Sequence, residues 1–144
     1  MEDFQPDIPI DQNVKPVAQP MRRVPFSMRD KIDQKLNELV DLDVIQRAEG
    51  PTPWISPVAV LPKANGVIRL GVNMRQANGA IVRERHPIPT VNRDEVLHVL
   101  NGRAVFSKLD IKRAFYQVEL SEASRPITTF ATHKRLFRYK RLMF

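Results

Sequence analysis

The chain has 144 residues, with 12 prolines against 5 glycines, no cysteine and a formal net charge of +7. A single domain of this length can bury about 68–70% of its unfolded surface, so size does not prevent folding. The missing cysteines exclude disulfides, thiolate zinc sites and thiol nucleophiles. No signal peptide and no apolar run of membrane-spanning length is evident, so we expect no membrane partner.

The charge is divided unevenly along the chain. Residues 1–62 hold 7 basic and 10 acidic side chains, whereas residues 63–144 hold 16 basic and 6 acidic ones, which gives −3 and then +10. Concentrated positive charge favours a polyanionic partner, because neutralised phosphates release condensed counterions. The alternative is an ordinary solvated basic surface.

The first elements follow a proline-rich beginning. Residues 1–26 lack a hydrophobic period and are predicted to be an extended or flexible lead-in without chemistry. Ser27 and Asp30 form a capping-box-like start, and apolar side chains then recur at helical spacing, which predicts a helix near residues 28–42. Its stripe is best explained as core packing, and it consists of Met28, Ile32, Leu36, Leu39 and Val40.

A hairpin is predicted next. Two β-branched runs, 58–63 and 67–72, flank Asn65 and Gly66, which both tolerate the positive φ angles of a tight turn. Lys63 and Arg69 then lie on one hairpin, where they suit a phosphate-bearing ligand, although exposed cations on hairpins are commonly just solvated.

A short helix and a strand are predicted around the most informative motif. Asn92 and Glu95 indicate a helix start, with Asn101 and Gly102 as its end. Residues 105–110 alternate as a strand that ends at Asp110. A carboxylate fixed at the end of such a strand suits metal-assisted phosphoryl transfer, but the same pattern also fits an aspartate that caps the following turn.

Three further strands are predicted towards the carboxyl end. Residues 116–120 would follow the Asp110 strand, and residues 127–132 and 136–140 would form a second hairpin that turns at His133. The chain then stops inside an apolar run, which we interpret as a truncation within an element.

Several blocks occur in an order that resembles the reverse transcriptase of gypsy-type LTR retrotransposons, over about residues 15–144. The blocks are RRVPF, LVDLDVI, PWISPVAVLPKANGVIRLGVNMRQAN, RERHPIP, LNGRAVFSKLDIKRAFYQVEL and TTFATHKRLFRYKRLMF. The resemblance implies an α+β fold in which residues 27–89 belong to the fingers and residues 90–144 begin the palm of a right-hand polymerase.

The resemblance also implies roles for single residues. Asp110 matches the first catalytic aspartate, which binds two magnesium ions together with the Ile111 carbonyl. Phe115 matches the aromatic gate beneath the incoming sugar. Cations of the fingers that hold the triphosphate correspond to Lys63 and Arg69. Positions near the template strand correspond to Arg75 and Asn78. The implied partners are an RNA or DNA template-primer and deoxynucleoside triphosphates.

Some positions depart from the family pattern. Asn73 stands where relatives usually have Asp, Arg135 where a turn Gly is common, and Asn92 with Arg93 looks like a small insertion. The family's Tyr-X-Asp-Asp segment is absent from the sequence. Because one carboxylate cannot hold two metal ions, we expect a reverse transcriptase fragment that is inactive by itself. The alternatives are a non-enzymatic basic nucleic-acid-binding remnant and a relic that never folds stably.

Overall fold

The computed structural model describes residues 4–62, 66–84 and 92–143. The chain divides into two compact units, residues 1–82 with 113–144 and residues 83–112. The larger unit contains helices α1 (Phe26–Asp41) and α2 (Arg75–Ala80) and the strands β1 (Ile45–Arg47), β2 (Ser56–Pro62), β3 (Ile68–Val72), β4 (Phe130–Ala131) and β5 (Leu136–Tyr139). Every helix in the described ranges is too short or too polar to cross a membrane.

The five strands form one mixed sheet in the order β1–β5–β4–β2–β3. Only the β2–β4 pair is parallel, and the other three pairs are antiparallel. The mixture of helices with this sheet agrees with the mixed α and β character predicted from the sequence. The predicted hairpin is confirmed by the β2–β3 pair, and Gly66 at its turn has φ +74°. Asn65, predicted to share the turn, lies outside the described residues.

Helix α1 packs against the sheet and forms the main core. Its buried residues, Ile32, Leu36 and Leu39, meet apolar side chains of β1, β2, β3, β4 and β5. Phe130 is fully buried, with its ring 5.9 Å from that of Phe137 and 5.4 Å from that of Tyr139, measured between centroids. The predicted helical stripe is therefore core packing, apart from Val40, which is exposed.

The start of α1 differs from the predicted capping box. Pro25 occupies the N-cap position without a side-chain hydrogen bond, and Ser27 already lies inside the helix. Proline restricts its own φ to a helix-compatible value, so the helix can begin here without a hydroxyl cap.

A second apolar cluster lies where α2 meets the carboxyl-terminal part of the unit. Its buried members are Trp54, Met74, Ala77, Ala80 and Ile127. Ile8, Ile10 and Val14 from the beginning of the chain pack against it. The predicted lead-in therefore covers apolar surface of the larger unit.

We call residues 6–19 the N-terminal strap. Its backbone forms bridges from Ile10 to Ile81 and from Ala18 to Ile55. These bridges attach the strap to the end of α2 and to the segment before β2. Apart from a turn at residues 12–14, the strap has no helix, and it is hydrogen-bonded to the body of the unit.

The smaller unit contains helix α3 (Arg93–Leu100), which confirms the predicted second helix. Asn92 is the N-cap, and its side-chain oxygen accepts a hydrogen bond of 3.2 Å from the Asp94 backbone N–H. Gly102 has φ +75° just beyond the helix. The apolar side chains Val96, Leu97 and Leu100 are exposed.

The strand predicted at residues 105–110 is absent from the described structure, so that prediction is wrong here. Residues 103–111 have neither helix nor strand, and Val105 and Leu109 are 87% and 92% exposed. A strand is stabilised by backbone pairing, and no described segment pairs with this one. The apolar and polar side chains of residues 105–110 alternate as in a strand, but this segment has no described strand to pair with.

Two other predicted strands are also corrected. Residues Ala114–Gln117 form a 3₁₀ helix, and only Glu119 of the predicted 116–120 strand forms a bridge, to Arg141. Residues Glu122–Thr128 form a second 3₁₀ helix, so β4 contains only the end of the predicted 127–132 strand.

The hydroxyl groups of Thr128 and Thr129 explain part of this second difference. They donate hydrogen bonds to the carbonyl oxygens of Arg125 and Pro126 at 2.6 and 2.7 Å. Such local bonds compete with a sheet ladder. The antiparallel β4–β5 pair confirms the remainder of the predicted hairpin.

Candidate functional site

The β2–β3 hairpin separates a core face from an outer face. Val58 and Ile68 are buried beneath α1, whereas Arg69 and Leu61 face each other across the ladder on the opposite side. Alternation of side chains along a strand produces this division. Arg69 is exposed, and Lys63, the other predicted triphosphate cation, lies outside the described residues.

Helix α2 follows β3 after two residues and presents the two predicted template contacts. Arg75 and Asn78 are separated by three positions, so they share one side of the helix, and both are exposed. Ala77 and Ala80 are buried in the second core cluster. The buried alanines fix the helix so that the side chains of Arg75 and Asn78 face solvent.

Asn73 supports the beginning of this helix. Its side-chain oxygen accepts a hydrogen bond of 3.3 Å from the Arg75 backbone N–H. The resemblance described above predicts Asp at this position. Asn retains a side-chain acceptor oxygen but lacks the carboxylate charge. The local support of α2 is therefore compatible with this departure.

The other predicted site residues are divided between the two units. Asp110 and Ile111 belong to the smaller unit and are exposed in an irregular segment. Phe115 belongs to the larger unit, where it lies in the first 3₁₀ helix and is 44% exposed. Arg69, Arg75, Asn78 and Phe115 thus share one unit.

An arginine that the sequence did not single out anchors the segment of Phe115. Arg113 has φ +55° and precedes the first 3₁₀ helix, and its Nη2 atom lies 2.8 Å from Oε1 of Glu38 on α1. Glu38 also accepts a hydrogen bond of 2.6 Å from Lys35, which together with the charges of Lys35 and Arg113 lowers the pKa of this carboxyl.

Sequence pattern could not reveal the Glu38–Arg113 pair. The two residues are 75 positions apart, and neither belongs to a recognisable motif. A positive φ value is uncommon for a residue with a Cβ atom, so Arg113 marks a locally unusual backbone. The ion pair connects that backbone to the helix beneath the sheet.

The described residues do not form a metal site of the predicted kind. Within the described ranges, no group of three or more His, Cys, Asp or Glu side chains is arranged to hold a metal ion. Two magnesium ions require several carboxylate oxygens to offset their charge. Asp110 and the Ile111 carbonyl alone do not meet this requirement.

Sequence comparison shows that the chain is similar to viral and retrotransposon polyproteins. No family model matches the chain. It is 34% identical over 117 residues to the enzymatic polyprotein of cauliflower mosaic virus (strain Strasbourg), covering 78% of the chain and 16% of the relative. It is 29% identical over 136 residues to the retrovirus-related Pol polyprotein from transposon 412 of Drosophila melanogaster, covering 90% and 11%.

An uncharacterized Caenorhabditis elegans protein is 31% identical over 137 residues, which is 93% of the chain and 10% of that relative. The chain thus spans between 10% and 16% of the length of these three curated relatives.

Comparison with solved structures identifies the fold. A foamy viral protease-reverse transcriptase in complex with dsDNA matches 99% of the chain and 27% of its own length, with a TM-score of 0.73 and 17% identity. The same kind of protein in complex with an RNA/DNA hybrid matches 96% and 18%, with a TM-score of 0.67 and 19% identity. The chain therefore has homologues among viral and retrotransposon polyproteins and shares the fold of the matched part of a foamy viral protease-reverse transcriptase.

Proposed function

We propose that the chain is the fingers and the start of the palm of a gypsy-type retrotransposon reverse transcriptase, within a longer Pol polyprotein. Residues 27–89 are the fingers and residues 90–144 begin the palm. The similarity to Pol polyproteins and the motif order support this assignment. The parent enzyme would synthesise DNA on an RNA or DNA template.

The binding role rests on one observation: Arg69 on β3 and Arg75 with Asn78 on α2 are exposed on consecutive elements whose opposite sides are buried. In this proposal Arg69 acts with Lys63 on the triphosphate of the incoming nucleotide. Arg75 and Asn78 contact the template strand. A guanidinium suits both tasks, since its planar donors match phosphate oxygens.

The catalytic roles belong to the parent enzyme. Asp110 and the Ile111 carbonyl would contribute ligands to the magnesium site, and Phe115 would limit the space beneath the sugar. The Tyr-X-Asp-Asp carboxylates that the family also requires are absent from this sequence. We therefore expect the purified chain to extend no primer.

Primer extension tests this part of the proposal. The purified chain is incubated with a primed template, deoxynucleotides and magnesium, with Asp110→Asn as the matched variant. No extension by either protein is expected. Extension by the wild-type chain that disappears in Asp110→Asn would contradict the expected inactivity.

Nucleic-acid binding tests the proposed template face. Arg75→Gln should weaken binding of a primed template and reduce the slope of log affinity against log salt by about one, because one phosphate contact is lost. Arg22→Gln removes the same charge from the exposed segment before α1 and serves as the control. Equal effects of the two substitutions would mean that only total charge matters.

A second candidate is a non-enzymatic basic nucleic-acid-binding remnant, favoured by the +10 charge of residues 63–144. It predicts binding that decreases steeply with salt and persists in Asp110→Asn. Loss of binding in Asp110→Asn would count against this candidate. The remaining alternative, a relic without a stable fold, is excluded if the purified chain unfolds cooperatively on heating.

A further inference from the structure

A cleft between α1 and the turn that joins β4 to β5 has more positive than negative charge. Its volume is about 150 Å³. We name it the α1-turn cleft, and its lining residues are Asp33, Leu36, Asn37, Val40, Arg47, Lys134, Arg135 and Phe137. None of them belongs to the nucleotide or template contacts proposed above.

Two arginines of the cleft have no ligand within the protein. Neither the Arg47 nor the Arg135 guanidinium has an ion-pair or hydrogen-bond partner in the part of the chain that the structure describes. Each guanidinium offers a planar set of donors that matches the oxygens of a phosphoryl group. Their donors are thus available to an external anion.

The carboxylate in the lining is already neutralised. Asp33 Oδ2 lies 2.5 Å from Lys134 Nζ, and Asp33 Oδ1 lies 3.2 Å from Nε2 of His133. Asp33 therefore offsets the charge of Lys134 and leaves Arg47 and Arg135 in excess. Like charges that share a cleft repel each other, so a bound anion relieves that repulsion.

The turn that presents Arg135 is fixed by hydrogen bonds. Thr132 is buried. Its hydroxyl accepts a hydrogen bond of 3.2 Å from the Arg135 backbone N–H and donates one of 2.7 Å to the Arg135 carbonyl. Arg135 has no positive φ, so its non-glycine side chain causes no backbone strain in this turn. Arg135 therefore presents its guanidinium from a hydrogen-bonded turn.

Arg47 is held beside the same turn by the sheet. It is paired with Phe137 in the β1–β5 ladder, and the following residue, Ala48, donates its N–H to the Leu136 carbonyl at 3.1 Å. Arg47 at the end of β1 and Arg135 immediately before β5 thus both project from hydrogen-bonded backbone. Because this backbone is already ordered, binding of an anion has a lower entropic cost than it would have at a flexible segment.

We propose that the α1-turn cleft is a binding site for a phosphoryl oxyanion, with Arg47 and Arg135 as its principal donors. The Asn37 amide, which also lines the cleft, supplies a neutral donor. The same chemistry suits a free phosphate and a phosphate of a nucleic-acid backbone. The site is independent of the proposed template face, because it shares no residue with it.

The test uses the 144-residue chain and NMR signals of arginine Nε–H groups. Inorganic phosphate is titrated at constant ionic strength into the wild-type chain, into Arg47→Gln/Arg135→Gln, and into the control Arg22→Gln/Arg23→Gln. The control removes two exposed arginines from the segment before α1, so both variants have the same net charge. Circular dichroism verifies that all three proteins are folded.

We expect phosphate to shift the signals of Arg47 and Arg135 in a saturable way. Its affinity should decrease about tenfold or more in Arg47→Gln/Arg135→Gln and remain unchanged in the control, because only the first variant removes the paired donors. Equal affinities of the two variants, or unshifted Arg47 and Arg135 signals, would overturn the proposal.

A short single-stranded oligonucleotide distinguishes the two sources of the anion. If it shifts the same two signals and competes with phosphate, the site takes a nucleic-acid phosphate. If phosphate saturates the site and the oligonucleotide neither shifts the signals nor competes, the site takes a free phosphoryl group. Both outcomes support the site, and neither depends on whether Arg75→Gln weakens binding of a primed template.

Discussion

The backbone N–H of Ile8 donates a hydrogen bond of 2.7 Å to Oγ of Ser124, 116 positions further along the chain. Ser124 is buried and also accepts a hydrogen bond of 2.9 Å from the Ser121 hydroxyl. This contact connects the N-terminal strap to the second 3₁₀ helix. It makes the beginning of the chain part of the folded unit, although its sequence has no hydrophobic period.

Replacing Ser124 should destabilise the chain through the strap. Ser124→Ala removes the acceptor and leaves the partly buried Ile8 N–H unpaired, at a cost of about 1–2 kcal/mol in the free energy of unfolding. Urea unfolding measures the change. Ser27→Ala is the control, because Ser27 is exposed within α1 and makes no capping hydrogen bond. We expect this control to be neutral or slightly stabilising, since Ala has the higher helix propensity.

Hydrogen exchange should report the strap as well. The N–H groups of Asp11 and Gln19 donate to the carbonyls of Ala80 and Ile55, both at 2.8 Å, and the Val82 N–H donates to the Pro9 carbonyl at 2.9 Å. These amides should exchange at least about tenfold more slowly than unprotected peptide amides. The Lys15 amide, for which no hydrogen bond is present in the described structure, is the internal reference. Exchange of all four amides at the same rate would mean that the strap is detached in solution.

The core of the sheet offers the largest expected effect. Phe130→Ala should lower the free energy of unfolding by about 3–5 kcal/mol, because it leaves a cavity between α1 and the rings of Phe137 and Tyr139. Phe4→Ala removes the same ring from a side chain that is 60% exposed, so its effect should stay within about 0.5 kcal/mol. Comparable losses for the two variants would argue that the β4–β5 part of the core is not formed.

Local patterns predicted the elements that depend on neighbouring residues. The β2–β3 hairpin follows from a turn dipeptide between β-branched runs, and α3 follows from an Asn cap and a glycine stop. The prediction of a strand at residues 105–110 was wrong because a strand needs a partner strand, and the alternation of side chains in the sequence does not show whether one is present. The contacts of the strap could not be predicted from local pattern either, because its partners, Ile55, Ile81 and Ser124, lie far along the chain.

The candidate site was predictable to a similar degree. Exposed positions for Arg69, Arg75 and Asn78 are consistent with their expected contacts, and their roles stay predictions. The Glu38–Arg113 pair and the excess charge of the α1-turn cleft arise from residues that meet only in the folded chain. Arg135 illustrates the difference: the Thr132 hydroxyl provides hydrogen bonds that hold its turn without a positive φ at Arg135, and the sequence alone does not reveal this contact.

Acid should remove a stabilising contribution of Asp43. The hydrogen bond from Lys140, at 2.5 Å, and the charges of Lys140 and Arg141 lower the pKa of this carboxyl in the folded chain. A lowered folded-state pKa stabilises the protein above the unfolded-state pKa, and this stability is lost as the pH falls through the folded-state value. The contribution is therefore present at pH 7.

Asp43→Asn isolates that charge. Asp43 has φ +55°, a conformation that Asn also tolerates, so the backbone should not change. Because the side chain is 55% exposed, the loss at neutral pH should be only about 0.5 kcal/mol. Urea unfolding at pH 7 and at a pH below the lowered pKa should give a difference between wild type and variant that disappears in acid. A difference that is independent of pH would mean that the ion pair with Lys140 does not form in solution.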